Sequence, residues 1–333
     1  MRTGSAARAA ERMAAELPQQ PGATRCANAI FQQPWWLEAV APGRWGEATV
    51  EREGRVVARL PYVVRGRRRL RILSMPPLTQ TLGPWLEPSA AKPAHALGEE
   101  HELLAALEAA LPQAAAFMQH FSPTMRNALA FHWAGYRLEL LYTYRLEGLG
   151  SEQALWDGLR GNIRREIRKA RKRVAVREDV GLDRFHAIWA KTFARQGLRP
   201  PASLPELERL DAACAARGAR AMLFGQDDAG RTHAVSYVVW DEHAAFYLLG
   251  GGDPELRTSG ASSLLMWDSI MRARQVTDVF DFEGSMLMPV ERFFRGFGSR
   301  QTPYLRVSRA RPHARAALAL RAGMGRLLDH RRG

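Results

Sequence analysis

From Val174 onward the chain changes its hydrophobic period repeatedly, and that alternation restricts the fold more than any single motif does. VAVRE reads as a strand, LDRFHAIWAKTFARQG as an amphipathic helix ending at Gly197, and SLPELERLDAACAARG as a helix opened by Ser203 and closed at Gly218. Three strands follow as a meander: RAMLFGQDD, THAVSYVVWDE after a turn at Ala229 and Gly230, and HAAFYLLGGG. RTSGASSLLMWDSIMRARQ is then a helix, DVFDFEGS a strand, VERFFRGFG a helix and QTPYLRVSR a last strand. Strand, two helices, three strands, helix, strand, helix, strand is the signature of a mixed α/β unit.

Within that unit, FDFEGSMLMPVERFFRGFG (280–298) carries the densest chemistry. Phe280 and Phe282 alternate with Asp281 and Glu283, and strand side chains point to opposite faces with period two, so both carboxylates share a face. Gly284 and Ser285 break the strand, Pro289 suits a first helical turn, and Phe293, Phe294 and Phe297 recur at helical spacing. Two acids delivered into a turn predict a site. The alternative is structural: both acids tied to Arg292 and Arg295 as ion pairs holding the last helix.

With 333 residues and 46% hydrophobic content the chain can bury two ordinary cores, and two are expected. Residues 26–146 read as one αβ unit: a short helix carrying Trp35 and Trp36, strands at 45–53 and 55–64, a strand at RLRILSM, a helix over 99–111, a strand at 116–121, a helical stretch to Trp133 and a strand over 136–146. The loop MPPLTQTLGPWLEP, with Thr79 and Gln80, is too apolar for a mere linker, and loops of that kind line sites. Any one of Trp35, Trp36 and Trp85 is better explained by core packing than by contact with a ligand.

SEQALWDGLRGNIRREIRKARKRV reads as one long helix whose apolar stripe is Leu155, Leu159, Ile163, Ile167, Ala170 and Val174, weakened at Gly158, Gly161 and Asn162. Of the formal charge of +14, +6 falls between Arg164 and Arg173 and +7 between Arg306 and the end. The basicity is therefore two local features. The first is either a solvated face or a surface for phosphates on a nucleic acid or a nucleotide-linked or lipid-linked substrate, with Arg164 and Arg168 as its candidate contacts. The second, a basic tail or helix over 309–333, suits weak contact with an anionic membrane. Residues 1–25 hold no signal or transit pattern and read as a loose tail. No apolar run is long enough to span a bilayer. Cys26 and Cys214 are too few for a disulfide framework or a thiolate metal site, and a cytoplasmic protein, at most peripheral at the inner face of the membrane, is expected. The nine histidines include no HExxH and no closely spaced pair and the cysteines are not clustered, so no metal is expected; GxSxG and Walker patterns are also missing. His233 and His243 flank a strand, where a lone histidine is usually structural.

The element order resembles the acetyltransferase fold of the GNAT superfamily. RTSGAS (257–262) stands where that fold places a pyrophosphate-binding turn, at a helix N-terminus whose dipole and N–H groups favour anions, although Ser259, Gly260 and Ser262 also suit an ordinary helix start. GNIRREIRKARKRVAVRE, YLLGGGDPELRTSGASSLLMWDSIMRAR and FDFEGSM with FFRGFGSR widen the resemblance to the FemAB-like and BioF2-like acyltransferases, built of two GNAT-like lobes. The resemblance implies tandem lobes at 26–146 and 147–308. It also implies transfer of an acyl group from acyl-CoA to an amine acceptor, or of an aminoacyl group from tRNA to a peptidoglycan-type precursor; a noncatalytic binder of RNA or membrane phosphates is the alternative of another class.

Acyl transfer to an amine needs a proton acceptor and N–H donors for an oxyanion. In the implied fold the strands YLLGGG and FDFEGS part, admitting the donor's arm. Asp281 and Glu283 are then candidate bases or ammonium-binding acids, with Tyr247 a proton donor to the leaving group. Arg257, Gly260, Ala261, Ser262, Leu249 and Gly250 are candidates for the acyl-CoA site, and Trp35, Trp36, Thr79, Gln80, Arg164, Arg168, Phe294 and Arg295 for the acceptor. Gly250 to Gly252 read more simply as a strand end.

Overall fold

The computed structural model of the chain describes residues 26–66, 70–194, 197–284, 286–312 and 314. In chain order its elements are α1 (Pro34–Val40), β1 (Trp45–Arg52), β2 (Arg55–Arg65), β3 (Ile72–Ser74), β4 (Trp85–Leu86), α2 (Pro93–Ala110), β5 (Ala116–His120), α3 (Leu129–Trp133), β6 (Arg137–Glu147), α4 (Glu152–Gly158) and α5 (Gly161–Ala170). These are followed by β7 (Ala175–Glu178), α6 (Leu182–Ala194), α7 (Leu204–Ala215), β8 (Arg220–Gln226), β9 (Thr232–Trp240), β10 (Ala245–Gly252), α8 (Ala261–Ala273), β11 (Val279–Asp281), α9 (Met288–Arg295) and β12 (Arg300–Ala310). The succession expected after Val174 is present in full.

The strands form one sheet in the order β1-β2-β3-β5-β12-β6-β11-β10-β9-β8-β7, with β4 beside β2. The last strand lies inside it: β12 is antiparallel to β5 on one edge and to β6 on the other. β6 also pairs with β11 through Arg145, Leu146 and Glu147. Residues read from the sequence as the end of the first lobe are thus hydrogen-bonded on both edges to strands read as the second. A division at 146/147 remains a proposal about units; the sheet runs through it.

Alternation along the strands sorts the cores. Val235, Tyr237 and Val239 join Phe31, Trp36, Phe185 and Phe246 under α1, α6 and α7. Ala234 and Val238 face the other way, with Ile163, Ile167, Leu265, Trp267, Phe280 and Phe282 under α5, α8 and α9. A third cluster, including Leu60, Leu104, Phe117 and Phe131, fills the β1–β5 end under α2 and α3.

Three expectations change. The helix expected over 151–174 is two, because Leu159 (ψ 140°) and Arg160 (ψ 146°) are extended between Gly158 and Gly161. The break is occupied: Arg160 N–H donates to the Gly296 carbonyl at 2.9 Å, and a Cβ on Gly298 would meet Gly158 O at 2.8 Å. DVFDFEGS is strand only to Asp281, since Glu283 (φ 58°) and Gly284 (φ 56°) turn the chain left-handed. α2 begins at Pro93 rather than 99, proline being suited to the first helical position. The expectations for residues 1–25 and for the basic segment from 315 lie outside the described residues. No described helix is long and apolar enough to cross a membrane.

Ile167 is fully buried in the cluster that α5 shares with α8. Ile167→Ala removes core volume where helix and sheet cannot fully collapse, so a loss of about 2–5 kcal/mol is expected; a urea midpoint unchanged from the parent would show α5 to be loosely attached.

Candidate active site

β10 and β11 run parallel but pair only through Ala245–Phe280 and Phe246–Asp281. Past that point the chain after β11 stays with β6, where Phe282 N–H donates to the Tyr144 carbonyl at 2.9 Å, while β10 stays with β9 as far as Gly252. A wedge therefore opens at Phe246 and Asp281. Against β9, β10 slips register between Tyr247 and Leu249, making Leu248 the extra residue of a bulge. From Tyr247 onward the far edge of β10 faces no strand, so its backbone N–H groups can serve a carbonyl oxygen placed in the wedge.

Asp281 is buried at the apex, 1% exposed. Its Oδ1 accepts from Thr143 Oγ1 at 2.5 Å and from the Glu283 N–H at 2.8 Å, and Arg145 Nε lies 3.6 Å from Oδ2. Gln80 Nε2 donates to Thr143 Oγ1 at 3.2 Å and the Gln80 side chain also reaches Asp281. Burial pushes the Asp281 pKa up, opposed by the Thr143 hydroxyl and the Arg145 guanidinium. Glu283 is driven much further up, first by burial and then by the charge of Asp281, and its Oε1 is buried with no hydrogen-bond partner among the described residues. Both acids are pushed up, but unequally: hydrogen bonds and the Arg145 guanidinium partly offset burial at Asp281, whereas at Glu283 the charge of Asp281 adds to it. Neither is tied to Arg292 or Arg295 among the described residues; Arg295 Nε binds Glu291 at 2.7 Å instead.

The remaining sequence candidates divide into groups. Thr79 and Gln80 do come to the region, and Gln80 joins the acid cluster, its carbonyl 3.1 Å from His120 Nδ1. Trp36 is fully buried, its Nε1 donating to Thr79 Oγ1 at 3.0 Å, and Trp35 is covered by Arg217 at 4.5 Å, so both tryptophans stand in the core. Tyr247 lies on the opposite face of the sheet from Phe246, its ring 6.1 Å from Phe294. Its hydroxyl fills the space over Gly250, where a Cβ would come within 1.6 Å, and burial raises its pKa. Leu249 is buried. Phe294 packs on Phe282 at 5.2 Å.

Arg257 and Ser262 are exposed at the start of α8, whereas Gly260 (φ 83°) and Ala261 are buried under α5. A Cβ on Gly260 would lie 2.5 Å from Glu166 O and 3.1 Å from Glu166 Oε2. Arg164 points at the carbonyls of Trp156 and Asp157 (3.5 and 3.3 Å), and Arg168 and Arg171 each lie 5.5 Å from the Trp156 ring. These arginines are remote in partners from the acid cluster.

On the Phe246 face a cleft of 540 Å³ is lined by Asn28, Thr81, Trp85, Arg145, Phe246 and Asp281, among others. Sequence reasoning missed Thr143 and Arg145, and Tyr304, whose pKa burial and the two acids push up to about 12. The period-two register of β6 contains Thr143 and Arg145 on one face, but only the β6–β11 pairing reveals that they serve Asp281. No group of residues able to hold a metal ion occurs among the described residues.

Residues 158–295 match the family model described as an acetyltransferase (GNAT) domain. No curated protein sequence matches the chain. Among solved structures, FemX is similar at 13% identity over 83% of this chain and 91% of that one, with a TM-score of 0.63. The C-terminal domain of a putative lysylphosphatidylglycerol synthetase from Agrobacterium fabrum is similar at 17% identity (79% and 84% covered, TM-score 0.50). A conserved protein of unknown function from Bacteroides thetaiotaomicron is similar at 10% identity (91% and 97%, TM-score 0.51). At these identities the likeness is one of fold.

Glu283 supplies a stability test. Its folded pKa lies above the ordinary 4.5, so as pH rises past 4.5 the unfolded chain ionises first and the native state loses relative stability. Glu283→Gln removes that loss and is expected to stabilise the protein by about 1–3 kcal/mol at neutral pH, with the gain vanishing below pH 4.5. Thermal midpoints across pH check this; a variant less stable at neutral than at acid pH, relative to the parent, contradicts it.

Proposed function

We propose that this chain, whose residues 158–295 match a GNAT acetyltransferase domain, is an acyltransferase that moves an acyl group from acyl-CoA to an amine, with Asp281 as the proton acceptor. The observation that carries this reading is the wedge: β10 and β11 separate immediately beyond Asp281, beside a bulge with an unpaired backbone edge. The donor arm would enter from the α8 and α9 side, where Tyr247 stands, and the amine from the cleft on the Phe246 side. The amine nitrogen bonds to the acyl carbon as the carbon–sulfur bond breaks. The proton it loses passes to Asp281 directly or through water, and the departing sulfur gains one from Tyr247 or solvent. Thr143 and Arg145 oppose the burial that raises the Asp281 pKa, so Asp281 is the acid of the pair that gives up its proton more readily. For the pyrophosphate of the donor, Arg257 and Ser262 are available at the start of α8.

One observation favours a second reading. Glu166 places a carboxylate, paired with Lys169 at 2.8 Å, beside Gly260, and a diphosphate bound there must share space with that ion pair. An aminoacyl ester on tRNA carries no diphosphate at this point, and its phosphates would meet the exposed Arg165, Arg168 and Arg171. Assaying both donors with one acceptor amine decides between the two. For either donor, Asp281→Asn is expected to lower kcat by about 10²- to 10⁴-fold with the fold retained. Turnover equal to the parent's in that variant would remove Asp281 from the chemistry.

A further inference from the structure

The segment that leaves the acid cluster ends in an apolar tip. Met286, Leu287 and Met288 are 63%, 63% and 62% exposed, three consecutive large apolar side chains standing in water. Holding them in water is unfavourable, so their exposure calls for a partner surface. They continue into the outward stripe of α9, on which Met288, Arg292 and Arg295 recur at helical spacing, all exposed, opposite Phe294 and Phe297. The C-terminal end of α9 is fastened to α5, since a Cβ on Gly296 would meet Ile163 Cγ1 at 2.8 Å. Arg160 and Arg165 are exposed at that end. Arg160, Arg165 and Arg292 have no acidic partner within ion-pair distance among the described residues. The result is a projecting apolar tip followed by arginines spread over two helices that pack together.

We propose that this face docks on an anionic lipid bilayer, with Met286, Leu287 and Met288 entering the acyl boundary and Arg292, Arg160 and Arg165 at the headgroup level. An exposed apolar tip suits insertion between lipids, and exposed arginines match negative headgroups, although Arg292 also sits close enough to Glu291 to lower its pKa. The proposed contact involves described residues alone, and it does not depend on which donor the enzyme uses.

The test uses the full chain and vesicles of phosphatidylcholine, alone or with about a third phosphatidylglycerol, in co-sedimentation. Binding to the anionic vesicles and weak binding to the neutral ones are expected. The double substitution Met286→Asp, Leu287→Asp should weaken anionic-vesicle binding on the order of tenfold or more. Arg292→Glu should weaken it on the order of fivefold. Because these side chains are exposed, the thermal midpoints of the variants should match the parent's. A parent that stays in the supernatant overturns the proposal. So does a double variant that binds like the parent, which would assign the contact to the basic C-terminal segment.

Discussion

The position of β6, wedged between β12 and β11, is the constraint on which the rest of the site depends. A strand hydrogen-bonded along both edges cannot shift register without breaking two ladders and turning every side chain to the other face. That fixes Thr143 and Arg145 on the face of Asp281. It also explains the wedge: β11 and its continuation are held by β6, β10 is held by β9, and the parallel pairing between them lasts only two residue pairs. The opening follows from two stronger allegiances on either side, with no need for a special sequence in the gap.

The glycine-rich end of the 280–298 stretch serves a related purpose at longer range. Gly296 and Gly298 let the backbone after α9 enter the break between α4 and α5, where a side chain would strike Ile163 or the Gly158 carbonyl. This fastens α5 across the start of α8. α5 consequently has two faces with separate consequences, a buried one that brings Glu166 against Gly260 and an exposed one that carries arginines. An anion approaching α8 meets both.

Much of this was legible in the sequence because it depends on local periodicity. The elements from Val174 to Ala310 follow from periods of two and 3.6 and from punctuation by Gly and Pro, and Asp281 and Glu283 stood out because a strand delivered them into a turn. The parts that were not legible involve distant pairing. Nothing near Thr143 indicates that it meets a residue 138 positions later, and Trp35 and Trp36 have the same composition signal whether they fill core or line a cleft. The split of the basic helix was half visible: Gly158, Gly161 and Asn162 marked weakness, but what occupies the break comes from residues 296–298. Alternation likewise placed the two acids on one face, yet it could not foresee that Glu283 reaches that region through a left-handed turn rather than a continuing pleat.

The inequality of the two acids gives the proposed reaction its direction. If both were ionised in one buried cluster, their repulsion would oppose the arrangement; if both were protonated, nothing would accept the amine's proton. The environment separates them by giving Asp281 hydrogen bonds from Thr143 and the Glu283 backbone and the nearby charge of Arg145, and by leaving Glu283 with burial and a negative neighbour. The sheet then keeps the substrates apart, since Phe246 and Asp281 look into the cleft while Tyr247 looks toward α9. Only in the wedge is there no strand between the two sides. An acyl carbon and an amine entering from opposite faces would therefore meet beside Asp281, the acid of the pair that ionises more readily.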